Sequence, residues 1–302
     1  MESDTVQQRE FLIRTSVVAA AIPAVQGTFA ATQPLSKTEV AWADEVLDVV
    51  VIKGLEIGKG IPKVVASITA KTASDAFKQV AEISSTAEVD IAEFRLDNLD
   101  PKLTSEEIVE LINTSASALA DKPLLVTFRT KEEGGEREIP DRDYFALYHD
   151  ILDGASLDLI DIEMMKPERH VIDLIAEAHR RGVSVILSNH EFESTPAKDV
   201  IVGRLLRQQK LGADILKIAT MPRSPEDVLT LISASMEMKC RHAQKPLLTM
   251  AMGPLGVTTR LAGGLTGSAL TYASVGSVSA PGQLPAESVK TVLEIIAKGT
   301  HS

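Results

Sequence analysis

A lysine stands inside an apolar run at Asp214-Ile215-Leu216-Lys217-Ile218-Ala219. Burying an ammonium is costly, and burial together with neighbouring positive charge favours the neutral amine. A neutral amine attacks ketones and aldehydes, so Lys217 is a candidate Schiff-base nucleophile. The structural alternative is a lysine that snorkels from a strand end or pairs with Glu93 or Glu163. His190 directly follows a second apolar run, in Ser188-Asn189-His190-Glu191-Phe192, where it could act as general acid and base. Glu93 and Arg95 are two apart in Glu93-Phe94-Arg95-Leu96-Asp97, so on a strand both side chains leave on one side. As a pair they could also be purely structural. Arg129 closes Thr127-Phe128-Arg129-Thr130, ahead of the charged, glycine-bearing loop 131–136. That place suits a carboxylate or a hydroxyl-rich ligand. Arg260, in Thr258-Thr259-Arg260-Leu261, adds a third arginine. Met250 and Met252 are read as core filling, with an apolar wall over a ring substrate as the second possibility.

These groups need a frame that brings them together. Short apolar runs at 63–68, 91–96, 124–128, 159–163, 184–187, 215–218, 247–250 and 270–275 read as strands, several of them continuous rather than alternating. Continuous runs fit strands covered on both faces. Helical patterns lie between them. Thr104-Ser105-Glu106-Glu107 is a capping box, Ser224-Pro225-Glu226-Asp227 puts serine at a cap and proline at the first helical position, and Gly182 and Gly212 fall where helices end. Eight strand–helix units in about 250 residues imply an α/β fold of the (β/α)8 TIM-barrel type, with the site at the carboxyl ends of the strands. A doubly wound open sheet is the alternative, weakened by the lack of a Gly-x-Gly-x-x-Gly run after the first strand. Residues 47–60 form a candidate β-hairpin that would cap the end opposite the site.

The chain has 302 residues and a net charge of −11, with no basic stripe, so nucleic acid is not an expected partner. Cys240 is the only cysteine, and its place in an apolar-periodic helix predicts a packed thiol. Residues 6–31 have the layout of an export signal: Arg9 and Arg14, an apolar run from Val17 to Val25, then Thr28-Phe29-Ala30 as a cleavage site. Arg9 to Leu12 resembles a degenerate twin-arginine signal, with Gln8 in place of the first arginine. The division is therefore 1–30 export signal, 31–46 linker and 47–302 catalytic barrel, with a periplasmic location expected and a cytoplasmic one as alternative. The apolar run is short for a stable membrane span. No cysteine or histidine cluster has metal-ligand spacing, and there is no phosphate-binding loop of the Walker type. The residues alone point to a metal-free Schiff-base enzyme acting on a small anionic carbonyl compound: an aldolase, a transaldolase or a dehydratase. An exported solute-binding protein for a cyclic hydroxy acid is the non-enzymatic rival.

Seven ordered blocks narrow the choice. PKVVASITAKT (62–72), EFRLDNL (93–99), VTFRTKEEGGE (126–136), SNHEFESTP (188–196), KIATMP (217–222), TTRLAGG (258–264) and SAPGQLP (279–285) resemble type I 3-dehydroquinate dehydratases. The resemblance implies the following roles. Lys217 forms an imine with the C3 ketone of 3-dehydroquinate, His190 shuttles a proton from C2 to the C1 hydroxyl, and Glu133 orients His190. Glu93, Arg95 and Arg129 hold ring hydroxyls, Arg260 takes the carboxylate, and Ser67, Ser279 and Gln283 contact substrate. The resemblance also implies syn elimination of water, no metal or organic cofactor, and a homodimer. Glu191, Phe94 and Ala251 stand where many relatives carry aspartate, tryptophan and serine. An exported copy would suit quinate or shikimate catabolism rather than aromatic amino-acid synthesis.

Overall fold

The computed structural model describes residues 48–276, 278 and 280–300. The expected export segment, the linker and Ser279 lie outside them. The described chain opens with an antiparallel hairpin, β1 (Val50–Ile52) and β2 (Leu55–Ile57), turned through Lys53 and Gly54, both at positive φ. Eight parallel strands follow: β3 (Lys63–Ile68), β4 (Ile91–Arg95), β5 (Leu124–Thr127), β6 (Leu159–Glu163), β7 (Ser184–Glu191), β8 (Ile215–Thr220), β9 (Leu247–Ala251) and β10 (Leu270–Ala273). Each pairs with the next, β10 pairs with β3, and an isolated parallel bridge from Leu247 to Ser268 brings β9 beside β10. The result is a nearly closed (β/α)8 barrel.

Helices α1 (Ala73–Ser85), α2 (Ser105–Leu119), α3 (Asp141–Gly154), α4 (Glu168–Arg180), α5 (Lys198–Lys210) and α6 (Pro225–Arg241) fill the first six crossovers. Two short helices, α7 (Val257–Leu261) and α8 (Gly263–Thr266), stand between β9 and β10, and α9 (Ala286–Thr300) ends the described chain. The caps form as the sequence predicts. Thr104 and Glu107 exchange both bonds of a capping box, Ser224 accepts from Asp227 N, and Gly182 and Gly212 take left-handed φ. Cys240 is a correction: it is exposed, because α6 buries Val228, Leu231, Ala234, Ser235 and Met238, and Cys240 falls off that face.

Inside the barrel, one aliphatic residue from each strand, Val65, Ile91, Leu125, Leu159, Ile186, Ile215, Leu248 and Leu270, belongs to a single apolar cluster that also takes in Ala219, Met250, Met252 and Tyr272. Ile52 and Ile57 of the hairpin join it, so the hairpin covers the amino-terminal ends of the strands, away from the site. Outside the barrel, α3 packs a group of aromatic rings on β5 and β6. Tyr144 meets Phe128 edge-on with centroids 6.2 Å apart and lies 4.9 Å from Tyr148. Their hydroxyls also fix the strand ends. Tyr148 Oη accepts from Phe128 N (2.9 Å) and donates to Asp161 O (2.6 Å), and Tyr144 Oη accepts from Glu163 N (3.1 Å). A buried hydroxyl without such a partner would be costly.

Candidate active site

Two residues past that aliphatic ring, the inner face of every strand but β9 carries a polar group. The positions become Ser67, Glu93, Thr127, Asp161, Ser188, Lys217, Met250 and Tyr272. The period of a strand forces these side chains onto the same inner face. One cavity at the carboxyl ends is lined by Ser67, Glu93, Arg95, Arg129, Glu133, His190, Lys217, Arg260, Gln283, Tyr272, Met250 and Met252, among others. It therefore gathers every site residue proposed from the sequence except Ser279, which is outside the described residues. The methionines wall this cavity rather than merely filling core.

Lys217 is buried, 3% exposed, and held in an ion pair. Its Nζ lies 2.7 Å from Asp161 Oδ2 and donates to Tyr272 Oη at 3.1 Å. Neither Glu93 nor Glu163 is its ion-pair partner. Burial alone would raise the Asp161 carboxyl, but Arg129 and Lys217 hold it below the usual carboxylate value. Asp161 Oδ1 takes Arg129 Nη2 at 2.7 Å and Ser188 Oγ at 2.5 Å. Arg129 also reaches Glu163 (3.0 Å) and Glu133 (3.3 Å) through Nη1. Arg129 is thus a buried bolt across β5, β6 and β7, with both terminal nitrogens engaged by protein.

His190 and Glu133 form a dyad at the cavity wall. His190 Nδ1 lies 2.8 Å from Glu133 Oε2, which also accepts from His190 N at 3.1 Å. Glu133 ends a one-turn helix, Lys131–Glu133, closed by Gly134 at φ 83°. A Cβ on Gly134 would sit 2.0 Å from the Phe192 ring, and one on Gly135 would sit 2.0 Å from Arg129 O. The two glycines are therefore needed to fold the loop down so that Glu133 reaches the imidazole. Burial, against Arg129 and aided by Glu163 and Asp161, pushes the Glu133 carboxyl up to about 8. Burial, then Arg129, Lys217 and Arg95, push His190 well below its usual value. The dyad thus holds two exchangeable protons below about 8 and one above. With one, Nδ1–H donates to Oε2 and Nε2 is a free base; with two, an imidazole N–H is available as an acid.

Arg260 is the exception among the cations. It is 1% exposed, its Nε has no partner, and its other contacts are Pro281 O (3.2 Å) and the Met250 sulfur (3.7 Å). No carboxylate pairs with it among the described residues, and burial lowers its guanidinium to about 10. A buried cation that faces a cavity without an anion is built to receive one. Arg95, by contrast, is clamped on Asp97 through Nε and Nη2, both at 2.8 Å.

The family model described as type I 3-dehydroquinase matches residues 64–300. The chain belongs to that family. A 3-dehydroquinate dehydratase of Salmonella agona is 42% identical over 247 residues, covering 82% of this chain and 98% of that one. The Enterococcus faecalis 3-dehydroquinate dehydratase is also 42% identical, over 81% of this chain and 96% of its own. Among solved structures, a type I 3-dehydroquinate dehydratase from Clostridium difficile with covalently modified comenic acid superposes with a TM-score of 0.80. It is 39% identical and covers 83% of this chain and 98% of that one.

Two members of this 3-dehydroquinase site escaped the sequence reading: Asp161 and Tyr272. Asp161 had a usable signal. Asp161 and Glu163 alternate within an apolar strand, as Glu93 and Arg95 do. Tyr272 had none, because a tyrosine in a strand is ordinary core material. Among the described residues, no helix is long and apolar enough to cross a membrane.

Proposed function

We propose that this chain is a 3-dehydroquinate dehydratase, a lyase that eliminates water from 3-dehydroquinate to give 3-dehydroshikimate through an imine on Lys217. The observation that carries the reading is Arg260: a buried guanidinium with no carboxylate partner among the described residues, lining the same cavity as a buried lysine. The substrate's carboxylate supplies the missing anion, and its C3 ketone is the electrophile for Lys217. A carbanion at C2 beside a plain ketone is a poor intermediate, whereas a protonated imine at C3 is an electron sink. His190 removes the C2 proton in the one-proton form of its dyad and then delivers it to the departing C1 hydroxyl, a syn elimination. Glu133 sets the imidazole's orientation. Glu93, Arg95, Arg129 and Ser67 hold ring hydroxyls, and Ser279 and Gln283 close over the ring. Holding the ring at several points makes both contacts of His190 productive.

Residues 1–30 are proposed as an export signal placing the enzyme in the periplasm, with 31–46 as linker and 47–302 as the catalytic unit. A periplasmic enzyme suits catabolism of quinate or shikimate. Its support is the charged, apolar and small-residue order of residues 6–31. An intact Met1 on protein from the cytosolic fraction would overturn it. A homodimer follows from the family resemblance and is tested by light scattering, where one chain mass in solution would refute it.

The central test is borohydride reduction of the protein mixed with 3-dehydroquinate, followed by peptide mass mapping. A substrate-derived adduct on Lys217 with loss of activity is the expected result. A folded protein that gives no adduct in excess substrate would overturn the reading.

A further inference from the structure

One buried titratable group in the cavity has no part in the chemistry described so far. Tyr272 Oη stands between the nucleophile and a carboxylate: it accepts from Lys217 Nζ at 3.1 Å and donates to Glu93 Oε1 at 2.9 Å. Lys217, Tyr272 and Glu93 are each less than a tenth exposed, and the Tyr272 hydroxyl joins the other two directly. An ion-paired lysine has to lose a proton before it can attack a ketone, and the structure offers Nζ two acceptors. Asp161 is the nearer, but its oxygens already take Lys217, Arg129 and Ser188 and it is held as the anion, which makes it a counter-ion rather than a base. The other acceptor leads through Tyr272 to Glu93.

We propose that Tyr272 relays a proton between Lys217 and Glu93, freeing the amine for attack and later returning the proton to the imine nitrogen. In the forward step an N–H bond of the ammonium breaks and an O–H bond forms at Oη. The proton that Oη held passes to Glu93 Oε1. Lysine becomes a neutral amine, Glu93 becomes a carboxylic acid, and tyrosine is unchanged. Condensation then transfers both amine hydrogens to the ketone oxygen, which leaves as water, and a neutral imine remains. The proton on Glu93 returns through Oη to that nitrogen, giving the protonated imine that the elimination needs and restoring the carboxylate. Atoms and charge balance with no outside base.

The hydroxyl is suited to conduct rather than to store. Burial, then the nearby Glu93 and Asp161, raise it well above its ordinary value, so a standing phenolate is disfavoured and the two transfers must be concerted. Glu93 differs from Asp161 in its partners: it is bonded by three neutral hydroxyls, Ser67 Oγ on Oε2 at 2.5 Å and Thr127 Oγ1 and Tyr272 Oη on Oε1 at 2.9 Å, whereas Asp161 is bonded by two cations.

The relay rests on the imine reading, and one set of measurements separates the two. Tyr272→Phe removes one oxygen, leaves Lys217 on Asp161, and leaves Glu93 on Ser67 and Thr127. The expected result is a roughly tenfold or greater fall in the single-turnover rate of borohydride-trapped adduct on Lys217. KM should change less than about twofold, because the hydroxyl is spent on protein partners. A second variant carries 3,5-difluorotyrosine at position 272, which keeps the hydroxyl but makes it more acidic. It should recover adduct formation relative to phenylalanine and displace the pH profile of that step, which a packing role would not do. Adduct formation by Tyr272→Phe at the wild-type rate, or a difluorotyrosine profile that superposes on wild type, would overturn the relay while leaving the imine standing. Absence of any adduct in the wild-type protein would overturn both.

Discussion

The two steps along the inner face of the barrel differ in almost everything but backbone geometry. The lower step, Val65, Ile91, Leu125, Leu159, Ile186, Ile215, Leu248 and Leu270, is wholly aliphatic, and each member is at most 1% exposed. The upper step begins two residues later on the same strands and holds Glu93, Asp161, Lys217 and Tyr272, all buried as well. Packed aliphatic side chains gain from burial without conditions. Buried charges gain only where partners compensate desolvation, and replacing such a network with apolar residues is often neutral or stabilising. The upper step is therefore not what holds the barrel together. Its network of Arg129, Asp161, Glu163 and Lys217 is a tolerated cost that keeps reactive groups fixed at the cavity.

If that division holds, substitutions in the two steps should have opposite signatures. Lys217→Met should abolish turnover and the borohydride adduct while the protein stays folded, because Asp161 keeps Arg129 and Ser188. Leu125→Ala, at the lower step, should cost about 2–5 kcal/mol of stability in a denaturant melt and leave the turnover of the folded fraction intact. A Lys217→Met protein that unfolds, or a Leu125→Ala protein that is stable but inactive, would break the comparison.

Arg260 sharpens it further. Arg260→Gln should raise KM by roughly ten- to a hundredfold, the worth of a lost hydrogen bond to a charged group. The same change removes a buried cation whose Nε has no partner, so thermal stability should hold or rise. A fall in melting temperature with KM unchanged would mean that Arg260 packs the loop at Pro281 and takes no carboxylate.

The lower step was legible in the sequence, and the upper step only in part. Apolar runs gave all eight strands, because the hydrophobic pattern is what closes the barrel. Their carboxyl ends were read short at β7 and β8, where Asn189, His190, Glu191 and Thr220 continue the ladder. Polar residues end an apolar run before hydrogen bonding ends the strand, and at a barrel mouth that difference is the site itself. Strand-end position supplied Lys217, His190, Glu93 and the arginines as individual residues, and the resemblance added Glu133, Ser67, Ser279 and Gln283. It did not supply Asp161 as the partner of Lys217, since pairing across strands depends on register and barrel stagger, which no local pattern encodes. Arg129 is near Lys217 too, but Asp161 stands between them, bonded to both.

The smallest effect concerns the dyad. With Glu133 pushed up to about 8, the base form of His190 should build up as pH rises, so kcat/KM should climb toward about 8 and then level. Glu133→Gln removes both the titrating carboxyl and the anion that would stabilise a charged imidazole. What remains around His190 is burial, Arg129, Lys217 and Arg95, all of which favour the neutral ring. The limb near 8 should therefore vanish and the base form should persist to lower pH, against a plateau about tenfold lower for one weakened hydrogen bond to the base. A pH–rate profile of the two proteins decides the matter. If the limb stays in the Glu133→Gln protein, it belongs to another group, and the dyad does not set the pH dependence of the reaction.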